Sequence, residues 1–177
     1  MRVIAGSAGG RHIEVPRGTD VRPTSDRARE AMFNRLNSLG LVVGVSVLDL
    51  YAGSGALGIE ALSRGARAAT FVDVDAKCVA AVNKNLLVLN SDDVDFESRV
   101  VRSDAFSFVR TTHESFDVAF LDPPYQFDGW VELLQSVPAP VAVVESEKAV
   151  DVPPNWAELK SSRYGRATIA VLERLAE

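Results

Sequence analysis

Two short motifs, which begin at residues 49 and 122, contain the side chains best suited to chemistry. Residues 49–58 read DLYAGSGALG and residues 122–125 read DPPY, and each motif follows an apolar run typical of a buried strand. A glycine-rich turn after a strand lets a nucleotide-like ligand approach the backbone closely. A turn with an acid, two prolines and an aromatic ring offers acceptors and a stacking face to a planar amine. Together the motifs predict transfer of a group from a nucleotide-like cofactor to the amino group of a base.

The first motif also indicates the class of cofactor. Residues 53–58 fit G-x-G-x-x-G, a pattern shared with dinucleotide sites. Asp49 lies four residues before the first glycine, and a carboxylate is unwelcome where a helix N-terminus faces a pyrophosphate. It suits a cofactor that carries an ammonium and a sulfonium group, such as S-adenosyl-L-methionine. An NAD-dependent enzyme is therefore the least favoured alternative.

Two further acids are expected at the ends of the next two strands. Asp73 is placed to accept hydrogen bonds from both ribose hydroxyls, and Asp104 to receive the amine of the adenine. Ligands of open α/β sheets bind at these carboxyl ends of the strands. The alternative is that an aspartate after a strand only caps the following helix, which applies most readily to Asp104 and Asp75.

The second motif is suited to an aromatic exocyclic amine, whose lone pair is delocalised into its ring. The Asp122 carboxylate and the Pro123 carbonyl can accept its two N–H bonds, which favours a pyramidal nitrogen aimed at an activated methyl group. Pro123 and Pro124 fix the turn and remove competing N–H donors. Tyr125 offers a face on which a base can stack. The alternative is an ordinary Pro-Pro loop with an exposed tyrosine.

Composition places the chain among soluble globular proteins. It has 177 residues, of which 47% are hydrophobic and 24% charged, as expected for one domain with at most a small extension. No apolar run approaches the roughly 20 residues of a membrane span, and no signal peptide is apparent at the N-terminus. A single cysteine, Cys78, excludes an internal disulfide and a cysteine-rich zinc site. We expect a cytoplasmic monomer without a metal.

The charge is uneven along the chain. The net charge is −5, yet residues 1–38 contain seven arginines and four acids. A basic arm on an acidic body could dock phosphates, although the same arginines could simply form a solvated face.

Alternating strand and helix patterns predict the fold. Two apolar segments around Gly9-Gly10 suggest a β-hairpin, and a helix capped by Thr24, Ser25 or Asp26 follows. From residue 45 onward the alternation predicts an α/β, doubly wound, Rossmann-like and mostly parallel sheet, closed by an antiparallel hairpin. We expect an N-terminal RNA-docking arm over 1–40 and a catalytic domain over 41–177. The expected strands are 45–51, 69–74, 99–103, 116–121, 141–145, 157–162 and 167–175, and the expected helices include 56–64, 75–90 and 129–137.

Residues 45–125 resemble the class I S-adenosylmethionine-dependent methyltransferases. Residues 49–55 match the D-x-x-x-G-x-G motif of that superfamily, and Asp73 matches its acidic residue. The whole chain resembles the RsmD family of bacterial 16S rRNA guanine-N2 methyltransferases. The segments that carry this second resemblance are 2–6, 22–24, 26–27, 29–30, 33–34, 52–58, 60–64 and the turn at 122–125.

The resemblance implies a substrate and a set of site residues. The product would be N2-methylguanosine at guanine 966 of 16S rRNA, in the 30S subunit or an assembly intermediate. Three groups of residues are expected to act, some of them also on the physical grounds above. The catalytic group is Asp122, Pro123, Pro124 and Tyr125; the cofactor group is Thr24, Asp49, Tyr51, Gly53, Ser54, Gly55, Asp73 and Asp104; the RNA-binding group is Arg2, Arg11, Arg17 and Arg22.

Two other functions remain open from the sequence. A DNA adenine or cytosine amino-methyltransferase would share the DPPY turn, but such enzymes usually carry a separate target-recognition domain, and no segment here is large enough for one. A non-catalytic RNA-binding assembly factor would have no need of the intact set of strand-end acids and glycines. Protein glutamine methyltransferases usually carry asparagine where this chain has Asp122.

Overall fold

The computed structural model describes residues 1–16, 25–89, 95–124 and 126–176. In this part of the chain, seven strands form one sheet, with five α-helices around it. The strands are β1 Ser46–Leu50, β2 Ala68–Asp73, β3 Glu97–Arg102, β4 Val118–Leu121, β5 Val141–Ser146, β6 Trp156–Tyr164 and β7 Ala167–Arg174. The helices are α1 Asp26–Ser38, α2 Ala56–Ser63, α3 Ala76–Leu86, α4 Ala105–Thr111 and α5 Trp130–Ser136.

The strand order is β3-β2-β1-β4-β5-β7-β6. Strands β1 to β5 are parallel, and β7 runs antiparallel to both β5 and β6. This confirms the predicted doubly wound sheet with a closing antiparallel hairpin. The chain returns to the middle of the sheet between β1 and β4, so a crevice opens there above the carboxyl ends of the strands.

Helix α3 is shorter than the sequence pattern suggests. The pattern predicts a helix as far as Asn90, whereas the α-helix ends at Leu86 and a 3₁₀ turn continues over Leu87–Leu89. The 3₁₀ turn leaves Leu87 64% exposed and buries Leu89 in the core. Asn90 itself lies outside the described residues.

The predicted N-terminal hairpin forms as two extended segments joined by an isolated antiparallel bridge between Arg2 and His12. Beyond this bridge the first segment also bonds to helix α2. Glu60 accepts the N–H groups of Ile4 at 2.7 Å and Ala5 at 3.1 Å. The first segment is therefore bound to a helix as much as to its partner segment.

The sheet has an apolar layer on each face. One layer contains residues of α1, α2 and the first segments of the chain, such as Val3 and Ile13, both fully buried. The Phe33 ring of α1 meets the Phe120 ring of β4 with centroids 5.6 Å apart. The other layer contains residues of α4 and α5. Residues 1–16 and 25–40 thus share a core with the sheet, and their separate role as a docking arm stays a prediction. Over the described ranges, no helix has both the length and the apolar character that crossing a bilayer requires.

Candidate active site

The strand register brings several acids to one edge of the sheet. Leu50 of β1 is paired with Val72 of β2 and with Leu121 of β4, and Leu121 is paired with Val144 of β5. Asp73, Asp122 and Glu145 therefore follow these partners at the same height. Asp49 lies one residue before Leu50, on the same face of the sheet as those three because side chains alternate along a strand. The carboxylates form one group at the crevice between β1 and β4.

The turn after β1 holds three residues with left-handed backbone. Gly53 and Gly55 have φ of 56° and 78°, and Tyr51 has φ of 61°. Glycine adopts this conformation without strain, whereas for tyrosine it costs about 1–3 kcal/mol. The Tyr51 ring meets the edge of Phe127, with centroids 5.8 Å apart, and burial raises the pKa of Tyr51 to about 12. A strained, half-buried tyrosine at the start of the turn is typical of a functional loop.

Asp49 lies beneath the turn and is only 2% exposed. Its Oδ2 accepts the backbone N–H of Gly58 at 2.9 Å, which supplies a partner for helix α2, since the cap residue Gly55 has no side chain. Burial, with a smaller contribution from Asp73, raises the pKa of Asp49 to about 8. A cation in the crevice would favour the ionised form of this carboxyl.

Asp73 joins two segments of backbone. Its Oδ2 accepts from the N–H of Gly53 and its Oδ1 from the N–H of Asp75, both at 2.9 Å. Each carboxylate oxygen keeps a second acceptor site. Asp73 can therefore hold the glycine turn and still receive hydroxyl groups from a ligand.

The helix-cap alternative is confirmed for two acids. Asp75 accepts from the N–H of Lys77 at 2.8 Å at the start of α3. Asp104 accepts from the N–H of Ser107 at 2.9 Å at the start of α4. Asp104 is nevertheless exposed at the rim of the crevice, so capping does not prevent contact with a ligand.

Asp122 follows β4 as a half-buried side chain. Burial, then the neighbouring charges of Glu145 and Asp49, raise the pKa of Asp122 well above its usual range. Pro123 is buried and Pro124 exposed, and the carbonyl of Pro124 accepts the N–H of Phe127 at 2.9 Å to close the turn. Tyr125 and Thr24 lie outside the described residues.

Glu145 also belongs to this group of acids, although no motif includes it. It follows the apolar run 141–144, as Asp73 and Asp122 follow their own apolar runs. Its position after a strand was therefore visible in the sequence. Burial and the neighbouring acids raise the pKa values of Asp49 and Asp122. A cofactor with an ammonium and a sulfonium group would favour the ionised form of Asp49, so the donor set fits S-adenosylmethionine.

Comparison with known proteins establishes the family. The profile of the family described as Conserved hypothetical protein 95 matches residues 1–173. The chain belongs to this family, the RsmD family. Ribosomal RNA small subunit methyltransferase D of Escherichia coli K12 is 34% identical over 100% of this chain and 91% of its own length. The protein of the same name from Haemophilus influenzae is also 34% identical, over 93% of this chain and 89% of its own.

Solved structures support the same relationship. The structure of yhhF from Escherichia coli has 35% identity and a TM-score of 0.84, and covers 100% of this chain and 99% of its own. A hypothetical protein from Thermus thermophilus has 29% identity and a TM-score of 0.81, and covers 98% of this chain and 99% of its own. The RsmD-type chain described here therefore shares its whole fold with these proteins.

Two of the four arginines expected to bind RNA lie within the described residues, and both make contacts inside the protein. Arg2 is 64% exposed and pairs with Asp26 at 3.2 Å, and Arg11 donates to the carbonyl of Val88. Arg17 and Arg22 lie outside the described residues. The two described arginines are on the surface, and their role in RNA binding stays a prediction.

The structure also reveals the roles of two buried polar residues, which the sequence patterns did not show. Glu60, fully buried in α2, pairs with Arg64 at 2.6 Å in addition to holding the first segment. Asn85, 2% exposed in α3, donates to the carbonyl of Ser54 in the glycine turn at 2.9 Å. The sequence analysis assigns neither of them a role, because nothing local to them shows what covers them.

Proposed function

We propose that this chain transfers a methyl group from S-adenosyl-L-methionine to the exocyclic N2 amine of a guanine in small-subunit ribosomal RNA. The observation that carries the proposal is the position of Asp122 beside the glycine turn. Asp122 follows β4 and the turn follows β1, and these two strands are neighbours at the point where the strand order reverses. The names of the family members above agree with this activity.

The glycine turn and the strand-end acids would hold the cofactor. The left-handed glycines at 53 and 55 allow a ligand to approach the backbone, and Ser54 between them is 3% exposed. Asp73 offers its remaining acceptor sites to the ribose hydroxyls, and the exposed Asp104 lies where the adenine amine would reach it. Asp49 is oriented by Gly58 beneath the turn and provides negative charge near the ammonium and sulfonium.

The Asp-Pro-Pro turn would hold the amine. When bound, S-adenosylmethionine supplies a methyl group activated by its positive sulfur. The Asp122 carboxylate and the Pro123 carbonyl accept the two N–H bonds of the guanine amine and direct its lone pair toward that methyl. Because the positive sulfur already activates the methyl group, these residues need only orient the nitrogen, and a strong general base is not needed. The contribution of the protein is then positioning and electrostatics.

We further propose that the target is guanine 966 of 16S rRNA, within the 30S subunit or an assembly intermediate, as the family resemblance implies. Residues 1–40 would dock on rRNA through Arg2, Arg11, Arg17 and Arg22, with phosphate contacts that set position and base contacts that set specificity. A guanine in a loop can be turned out of its stack into the crevice at modest cost. The enzyme would act in the cytoplasm as a monomer.

Methylation of purified 30S subunits tests the proposal. Subunits from cells that lack the enzyme are incubated with the protein and labelled cofactor, and the rRNA is digested and analysed by mass spectrometry. We expect N2-methylguanosine at one position, mapped by primer extension to guanine 966. Duplex DNA and 50S subunits serve as controls. Methylation of DNA bases would favour the DNA enzyme, and cofactor-independent binding to 30S without methylation would favour an assembly factor.

A further inference from the structure

We propose that Asn85 is a positioning residue that couples the N-terminal segment, residues 1–16, to the glycine turn after β1, here called the cofactor turn. Cofactor binding and RNA binding would then strengthen each other. The coupling to RNA rests on the proposed function, whereas the coupling to the N-terminal segment does not. Asn85 lies in α3, and its side chain bonds to Glu14 and Ser54. It would therefore join the N-terminal segment, which is expected to bind RNA, to the turn that is expected to bind the cofactor.

The Asn85 amide makes three hydrogen bonds. Its Nδ2 donates to the carbonyl of Glu14 at 2.8 Å and to the carbonyl of Ser54 at 2.9 Å. Its Oδ1 accepts the N–H of Glu14 at 2.9 Å. One side chain therefore pairs with both backbone groups of Glu14 and with the glycine turn. The two partner residues are 40 positions apart in the sequence, so no local structure connects them.

The chemistry of the site requires an amide. Two carbonyl oxygens need donors and one N–H needs an acceptor, and only the amide of asparagine or glutamine provides both from one short, planar group. Aspartate would place negative charge against two carbonyls, and alanine would remove all three hydrogen bonds. Because Asn85 is 2% exposed, water cannot readily replace it.

The bond to Ser54 reaches the centre of the cofactor turn. Ser54 lies between the two left-handed glycines, and it is buried beside α3. A ligand that approaches this turn restricts the Ser54 backbone, and Asn85 transmits the restriction to Glu14. Glu14 belongs to the N-terminal segment, residues 1–16, which also contains Arg2 and Arg11. Linkage requires the reverse effect, so RNA contact with the N-terminal segment must favour cofactor binding at the turn.

Hydrogen exchange of the wild-type protein gives a first test that needs no RNA. Addition of S-adenosylhomocysteine should slow exchange of the Glu14 amide, because its N–H bonds to Asn85. In Asn85→Ala the ligand should no longer slow exchange in residues 12–16. The control is Asn83→Ala, an exposed asparagine of the same helix whose side chain bonds within the helix to Val79. Asn83→Ala should behave as wild type.

Affinity measurements give the second test. We expect 30S subunits to tighten S-adenosylhomocysteine binding about fivefold or more in wild type and in Asn83→Ala, a usual size for coupling between sites. In Asn85→Ala the ratio should approach one, even where each separate affinity is measurable. A role in stability alone would lower the melting temperature and leave this ratio unchanged, which would overturn the proposal.

The outcomes separate this proposal from the proposed function. If wild-type exchange of Glu14 is unaffected by bound S-adenosylhomocysteine, the coupling is absent whether or not Asn85→Ala folds. If 30S subunits are not methylated but Glu14 is protected by the ligand, the proposed function fails and the coupling through Asn85 stands.

Discussion

The carboxylate of Asp73, at the end of β2, holds the backbone of Gly53 in the turn after β1, with Oδ2 accepting its N–H at 2.9 Å. The other oxygen accepts the N–H of Asp75, so one side chain fixes the relative position of two neighbouring strand ends. The residue expected to bind the ribose thus also shapes the turn that the cofactor must approach.

Replacement of Asp73 by alanine should weaken cofactor binding. Loss of a charged acceptor to two hydroxyls costs about 1.5–3 kcal/mol, which corresponds to about 10- to 150-fold in the dissociation constant. Calorimetry with S-adenosylhomocysteine measures this dissociation constant. The control, Asp75→Ala, removes a helix cap and should lower stability by about 1 kcal/mol without a matching loss of affinity. If Asp75→Ala weakens binding and Asp73→Ala does not, the ribose contact belongs to Asp75.

Replacement of Asp122 by alanine should abolish methyl transfer and leave cofactor affinity nearly unchanged. The reason is that the Asp122 carboxylate would grip the acceptor amine rather than the cofactor. Single-turnover methylation of 30S subunits measures the first effect and calorimetry the second, with the exposed Asp151→Ala as control. Recovery of activity at high cofactor concentration would show instead that Asp122 binds the cofactor.

Cofactor affinity should rise with pH as far as about pH 8. Asp49 has a raised pKa of about 8 without a ligand, so at pH 7 it is mostly protonated, and a cation binds best to its ionised form. Binding of S-adenosylmethionine at pH 7 should therefore release protons, and affinity should level off above pH 8. Calorimetry in two buffers of different ionisation enthalpy counts these protons. Asp49→Asn keeps an acceptor for Gly58 and should bind more weakly with a flatter pH profile.

The same shift predicts how stability changes without a ligand. The pKa of Asp49 is higher in the folded state than its ordinary 3.8, so the folded protein binds more protons between those values. The free energy of unfolding should fall as pH rises through this window, and bound cofactor should reduce the loss. Equal thermal stabilisation by S-adenosylmethionine at pH 6 and pH 8 would contradict an Asp49 that ionises on binding.

Replacement of Glu60 by alanine should destabilise the fold strongly. Truncation leaves the Arg64 charge and the N–H groups of Ile4 and Ala5 without their buried partner, at a cost of about 3–5 kcal/mol. Chemical denaturation measures this loss of unfolding free energy. Glu132→Ala, which breaks an exposed pair with Arg110, should cost at most about 1 kcal/mol. Similar losses of unfolding free energy in the two variants would mean that Glu60 does not hold the first segment. If the alanine variant does not fold, Glu60→Gln is measured instead.

Removal of three N-terminal arginines should weaken RNA binding and flatten its salt dependence. The variant combines Arg2→Ala, Arg11→Ala and Arg17→Ala, and each lost phosphate contact lowers the slope of log affinity against log salt by about 0.7–0.9. The contacts of Arg2 and Arg11 within the protein are exposed, so RNA can replace them at little cost. The control variant replaces three other exposed arginines, Arg99, Arg110 and Arg163, with alanine and so removes the same charge. An unchanged slope in the N-terminal variant would exclude the docking arm.

The sequence alone predicts the parts of this protein that depend on local patterns. Apolar runs predicted β1 and β5 to within a residue or two, and the position of Asp75 predicted a helix start that the structure has. These features follow from side-chain periodicity and from turn chemistry, which act over a few residues. The motifs at 49–58 and 122–125 indicated the crevice for the same reason, since acids and glycines at strand ends are visible without knowing how the strands pair.

Tertiary structure alone decided what surrounds those motifs. Glu60 and Asn85 are polar residues in helix patterns, and only the packing of the N-terminal segment against α2 and α3 buries them and gives them partners. The partner of Asp73 in the glycine turn depends on strand pairing across 20 positions. The raised pKa values of Asp49 and Asp122 likewise require burial and acids from other strands. Sequence determines which side chains are available, whereas burial and long-range contact determine their charge and their partners.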